Sequence, residues 1–154
     1  MAQSQQSGAL DERAYRPFRP IKARRVAWAL AIVGLVVLTV IGLIIEDASV
    51  LDRLAFIATG VAVAWFMSRQ AGVRAIPSES GLVVKNLFLG RTLEWAEIIA
   101  VRFGADRSWV QLDLADGDTL AVMAIQRADG DYAEKEARRL ATLVEYGSRT
   151  ADPA

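Results

Sequence analysis

Carboxylates are the residues with the clearest potential for chemistry in this chain, because it contains no His and no Cys. Glu94 and Glu97 flank Trp95, and two carboxylates can act as general acid and base when both face a cleft. The sequence indicates no such cleft, so we interpret the pair as a solvated edge and Trp95 as a core residue. Without imidazoles, thiols, a P-loop or another catalytic motif, we predict no enzyme activity and no cofactor.

Three further aspartates, Asp113, Asp116 and Asp118, form a cluster that could in principle ligate a metal ion. Asp116 precedes Gly117, and Asp-Gly is a typical two-residue hairpin turn of type I′. Turn chemistry therefore explains Asp116 and Asp118, and we predict no metal site.

Basic residues are concentrated near the N-terminus, before the first apolar segment. Residues 1–25 are predicted to form a disordered tail that is basic from residue 13 onward. Each Lys or Arg near an anionic lipid surface contributes about 1 kcal/mol of attraction. Trp109 lies on the polar face of its predicted strand and could contact the membrane interface or a protein. The candidate membrane or partner contacts are therefore Arg13, Arg16, Arg19, Lys22, Arg24, Arg25 and Trp109.

Two apolar segments predict a transmembrane helical hairpin over residues 26–68. Val26–Ile45 carries no charge, and about 20 helical residues span a hydrocarbon core. Leu54–Met67 is shorter, and Val50 and Leu51 could extend it; a re-entrant or buried helix is the alternative. Basic residues precede the first segment and follow the second, while the loop between them is mostly acidic. The chain is therefore predicted to lie in the cell membrane with both termini cytoplasmic.

Residues 73–147 show the alternating pattern of half-buried antiparallel strands. The predicted strands are residues 73–76, 82–89, 91–94, 98–103, 109–114 and 119–125. Val110, Leu112 and Leu114 are predicted to be buried, with Gln111 and Asp113 exposed. Ile99, Val101 and Phe103 are predicted to share one face of their strand.

An amphipathic helix is predicted to follow the last strand. Asp131 and Glu134 have the spacing of a capping box at its start, and Gly147 is expected to end it. Residues 148–154 are predicted to be disordered. The apolar face comprises Ala133, Ala137, Leu140 and Val144, and the water-facing side comprises Glu134, Lys135, Glu136, Arg138 and Arg139.

Short strands followed by one helix resemble a pleckstrin-homology (PH) fold. The stretch GLVVKNLFLGRTLEWAEIIAVRF is similar to the bacterial PH-like domains of small actinobacterial membrane proteins, through Gly81, Arg91 and Trp95–Ile98. The resemblance covers about residues 15–146. It implies a membrane helical hairpin followed by an α+β domain, in which a PH-like antiparallel barrel or sandwich is capped by one C-terminal helix. It implies no catalytic residues.

The net charge of zero gives no support for nucleic-acid binding. Lys85, Arg91, Arg102 and Arg107 do not form the dense basic cluster that phosphoinositide recognition requires. The favoured hypothesis is a non-catalytic, membrane-anchored domain that binds a protein partner or acts as a scaffold at the cytoplasmic membrane face. A module that binds anionic lipid and an accessory subunit of a larger membrane complex are the alternatives. No small-molecule substrate is evident.

Overall fold

The computed structural model describes residues 14–151, except the side chains of residues 150 and 151. The chain divides into two units. The helical unit comprises residues 21–72. The other unit, called here the β unit, combines the segment up to Pro20 with the chain from Val73 onward. Residues 1–13 and 152–154, which include most of the predicted N-terminal tail, lie outside the described residues.

The helical unit contains α1 (Lys22–Ile44) and α2 (Val50–Ala71), both long and apolar enough to cross a membrane. Helix α1 begins four residues before the predicted Val26. Helix α2 begins at Val50 because Ser49 and Asp52 form a capping box: the Asp52 amide donates to Ser49 Oγ at 3.2 Å, and the Ser49 amide donates to Asp52 Oδ2 at 3.0 Å.

The two helices pack through glycines. A Cβ added at Gly42 would lie 3.0 Å from Phe56 Cβ, and one at Gly60 would lie 3.3 Å from Leu35 Cδ1. Small residues at such contacts let helix backbones approach closely in an apolar environment. The Arg53 guanidinium joins the helix ends, because it donates to backbone carbonyls at the C-terminus of α1 and in the loop: those of Leu43, Ile45 and Ala48.

The β unit contains two three-stranded antiparallel sheets. The first consists of β1 (Arg74–Pro77), β2 (Gly81–Lys85) and β3 (Gly90–Glu94), and the second of β4 (Ile98–Arg102), β5 (Trp109–Leu114) and β6 (Thr119–Gln126). Helix α3 (Asp131–Ala151) follows them. Strand β2 ends at Lys85 rather than at the predicted Leu89, because residues 86–89 form a turn in which the Asn86 amide donates to the Leu89 carbonyl at 2.9 Å.

The core lies between the sheets and α3. The predicted burial of Val110, Leu112 and Leu114 is confirmed. Their neighbours Gln111 and Asp113 are half-buried rather than exposed, so that prediction was wrong in degree. The predicted apolar face of α3 is confirmed as well, with Leu140 fully buried and with Leu143 added to the face.

Two local predictions were wrong because a strand irregularity and a turn type differ from the ideal pattern. A bulge between Ile98 and Ala100 shifts the register of β4, so Ile98 enters the core while Ile99 is 67% exposed. The β5–β6 turn has a positive φ only at Gly117, and Leu114 accepts from the Gly117 amide at 3.0 Å. This geometry is a three-residue loop rather than a type I′ turn.

Gly147 does not end α3. The helix continues to Ala151, and a Cβ at Gly147 would lie 2.3 Å from Trp95 Cγ. Gly147 is therefore the position at which the helix touches the indole ring. Trp95 is buried as predicted, and its Nε1 donates to the carbonyls of Ser78 at 3.0 Å and Glu79 at 3.2 Å.

The segment before α1 packs on the β unit, so the prediction of a disordered tail was wrong for residues 14–20. Phe18 forms an antiparallel bridge with Ala75, and it is 0% exposed. The Phe18 amide donates to the Ala75 carbonyl at 2.8 Å, and the reverse bond is 3.1 Å long. An apolar ring between two prolines thus extends the first sheet beyond β1.

Candidate functional site: the groove between β4 and α3

A groove of about 530 Å³ lies between the first half of α3 and a segment formed by the end of β4 and the residues that follow it. Its floor combines half-buried apolar residues of the strand region, Val101 and Phe103, with the small helix residues Ala137 and Ala141. Polar residues surround this floor. The remaining lining residues are Ala105, Arg127, Gly130, Asp131, Glu134 and Arg138.

Strand order and chain direction explain why the groove exists. Strand β4 is the edge of its sheet, and in the described chain only β5 pairs with it. Gly130, with φ of 61°, turns the chain sharply so that α3 starts beside this edge. The alanines of α3 leave space that larger side chains would fill.

Charges of both signs surround the groove. The Arg127 guanidinium lies 5.8 Å from the Phe103 ring centroid, and it donates to the carbonyls of Arg107 at 3.0 Å and of Gly104. Arg138 pairs with Glu134 at 3.5 Å across one helical turn. Since both signs are present, the electrostatics favour a polar, mixed-charge ligand over a purely anionic one.

This arrangement suits an extended peptide. An open strand edge offers backbone donors and acceptors, and an apolar floor beside it accepts alternate side chains of an added strand. Asp131 and Glu134 both lie in the first turn of α3, where negative charge matches the helix dipole. Asp131 was predicted to cap α3 from the position before the helix, but in the structure it is itself the first helical residue.

The carboxylates singled out in the sequence serve local structure. The Glu94 amide donates to Glu97 Oε2 at 2.7 Å in a 3-10 turn over Trp95–Glu97, and both side chains are exposed. Asp113 pairs with Arg102 on the neighbouring strand. These contacts stabilise a turn and a strand pair.

Asp116 and Asp118 both pair with Arg91, at 2.7 and 3.4 Å. The hydrogen bond from Arg91 lowers the pKa of the Asp116 carboxyl, and the backbone amide of Asp118 acts in the same direction. The same bond raises the pKa of Arg91. Arg91 of β3 thus pairs with two of the three clustered aspartates, and the third, Asp113, pairs with Arg102.

The predicted contact residues are spread over several elements. Arg13 lies outside the described residues. Arg16 and Arg19 are exposed on the segment before α1, and Arg16 lies 3.5 Å from Glu136. Trp109 is half-buried at the start of β5, opposite Gln126, and does not line the groove. The remaining three are exposed in the first turn of α1: Lys22, Arg24 and Arg25.

Sequence analysis missed a polar cluster in which α3 holds the N-terminal segment. Glu136 was placed on the water-facing side of α3, but it is only 6% exposed. Its carboxylate lies 2.6 Å from Arg139, which also donates to the carbonyls of Ala14 and Arg16. The available signal was the presence of two aromatic residues, Tyr15 and Phe18, within an otherwise basic and proline-rich stretch.

Comparison with known proteins agrees with this architecture. Residues 73–142 match the family model described as a bacterial PH domain, and this part of the chain is such a domain. The two three-stranded sheets and the C-terminal helix are those of a PH-like fold, as the resemblance implied.

The chain is also similar to uncharacterized proteins of Mycobacterium bovis and Mycobacterium tuberculosis. Each is 38% identical over 82 residues, which are 53% of this chain and 53% of the relative. The chain therefore spans about half the length of these relatives. No solved structure matches it.

Proposed function

We propose that this protein is a non-catalytic membrane anchor whose PH-like domain binds a protein partner at the cytoplasmic membrane face. The observation that carries the proposal is the groove beside the open edge of β4. The partner would contribute an extended segment that adds to β4 and places apolar side chains on Val101, Phe103 and Ala141.

Anchoring supports this function physically. Two helices of membrane-spanning length and composition come directly before Val73 in the chain. Confining the domain to a membrane raises the effective concentration of a partner that is also membrane-bound, so a modest intrinsic affinity suffices. The basic residues before α1 and after α2 favour an orientation with both termini in the cytoplasm.

Site-specific photo-crosslinking tests the proposal in the full chain within its native membranes. A photoreactive amino acid replaces Ala141, an exposed residue that lines the groove, or Thr142, an exposed neighbour that does not. We expect a discrete protein adduct from position 141 and much less from position 142. Mass spectrometry of the adduct distinguishes a protein from a lipid. Lipid adducts alone, or equal protein yields at both positions, would contradict partner binding in the groove.

A further inference from the structure

The turn between β2 and β3 exposes large apolar side chains. Phe88 is 75% exposed and Leu89 is 77% exposed, and Leu87 beside them is half-buried. Turn positions normally carry small or polar residues. The three residues Leu87, Phe88 and Leu89 are called here the apolar tip.

Hydrogen bonds hold the base of the apolar tip. The Asn86 side chain donates through Nδ2 to the Ala121 carbonyl at 2.7 Å, and its Oδ1 accepts from the Met123 amide at 3.1 Å. The side-chain amide thus takes the place of a neighbouring strand along the edge of β6. Because the residue directly before the tip is fixed in this way, the tip is presented in a defined conformation.

Register places the tip at the end of the first sheet at which β1 begins. Lys85, the last residue of β2 and two positions before the tip, pairs directly with Arg74 of β1. Arg74 follows Ala71, the last residue of α2, by three residues, so it lies within about 11 Å of that helix end. Phe18, which pairs with Ala75, precedes the start of α1 by only four residues.

Charges around the tip suit a lipid interface. Lys85 is exposed and Arg74 is half-buried at the same end of the first sheet. Arg91 also lies at this end of the sheet, where it forms ion pairs with Asp116 and Asp118. Amphipathic membrane-surface elements combine apolar side chains below the headgroups with cationic groups at the phosphate level.

We infer that the apolar tip inserts into the interface of the bilayer that holds α1 and α2, with Lys85 at the level of the lipid phosphates. This contact would orient the PH-like domain on the membrane and leave the β4 groove for the protein partner. The inference rests on the membrane anchoring proposed above. It adds a second membrane contact that is separate from the two spans.

Spin-label accessibility in the full chain, reconstituted in vesicles of phosphatidylcholine with phosphatidylglycerol, tests this inference. The chain has no Cys, so single cysteines can be placed without removing native ones. The probe position is Leu89→Cys. Ser80→Cys, exposed in the turn at the other end of β2, is the aqueous control, and Val36→Cys, within α1, reports whether the helix is in the bilayer.

We expect a label at position 89 to be several-fold more accessible to oxygen, and several-fold less accessible to a water-soluble nickel complex, than one at position 80. A label at position 36 should be deep in the lipid. If position 36 is deep while position 89 behaves like position 80, the tip inference is overturned and the anchoring stands. If position 36 is aqueous, both fail. If position 89 is shielded from both reagents, it contacts protein, which also overturns the inference.

Discussion

The guanidinium carbon of Arg139 lies 3.8 Å from the centroid of the Phe18 ring. This cation–π contact joins the C-terminal helix to a residue that precedes the first membrane-length helix. The same guanidinium donates to the Ala14 and Arg16 carbonyls at 2.8 and 2.9 Å. Residues that precede α1 therefore complete the PH-like domain. A fragment that begins at Val73 lacks this part of the domain.

Phe18→Ala should destabilise the β unit by about 3 kcal/mol, because a fully buried ring is removed. Arg19→Ala, at the exposed neighbouring position, should change stability by less than about 0.5 kcal/mol. The measurement is the free energy of unfolding, obtained by urea unfolding of the full chain in detergent and monitored through hydrogen exchange of the β5 amides. Equal stabilities of the two variants would show that residues 14–20 do not pack on the domain.

Glu136→Ala should cost about 2–3 kcal/mol, because it removes a buried carboxylate that pairs with the partly buried Arg139. Glu134→Ala is the matched control one half-turn away, since its pair with Arg138 is exposed and contributes little. The same unfolding experiment compares them. A loss for Glu136→Ala as small as that for Glu134→Ala would show that Glu136 is solvated, as the helical pattern alone had suggested.

Gly147→Ala should destabilise the β unit by about 1–3 kcal/mol, although Ala is normally the better helix former by about 1 kcal/mol. The reason is the 2.3 Å separation between the added Cβ and Trp95 Cγ. In a Trp95→Leu background the added methyl should be nearly neutral, so a double-mutant cycle should show strong coupling. Additive effects would mean that helix and indole are not in contact.

The Asp116 carboxyl should titrate below the usual range of an aspartate in the folded protein, because Arg91 donates a hydrogen bond to it. A group with a lowered folded pKa stabilises the protein above its unfolded pKa, and that contribution is lost as the pH falls through the folded value. The relevant window is therefore below about pH 4.

Arg91→Gln should raise the pKa of Asp116 toward the ordinary value, while Arg107→Gln should leave it unchanged. Carbon-13 NMR of the Asp116 carboxyl group in the full chain in detergent measures both. An unshifted Asp116 in the unmodified protein, or the same response to both substitutions, would show that the ion pair does not form in solution.

Reporter fusions after residue 70 and after residue 154 should both report the cytoplasm. The physical reason is the excess of basic residues on the N-terminal side of α1 and directly after α2. A fusion after residue 47, in the loop between the helices, is the control and should report the opposite side. An external signal at residue 70 or residue 154 would exclude a two-span hairpin with cytoplasmic termini.

Local patterns in the sequence determined several parts of this structure. Alternation over residues 109–114 identified the buried residues of β5, because side chains on successive strand positions point to opposite faces. The spacing of Ala133, Ala137, Leu140 and Val144 identified the packed face of α3 for the corresponding helical reason. These signals are local, so they can be read without knowing which elements meet.

The tertiary structure decided what depends on contacts between distant residues. The helical pattern of α3 predicts that Glu136 and Arg139 face water. In the structure, residues 14–18, which are more than 100 positions away in the sequence, pack over them. The sequence pattern predicts that Gly147 ends the helix. In the structure, the missing side chain at Gly147 leaves the space that Trp95 occupies. The groove and the apolar tip likewise depend on β4 being an edge strand and on the Asn86 contact with β6. Each of these environments is created by packing, and no nearby sequence pattern encodes it.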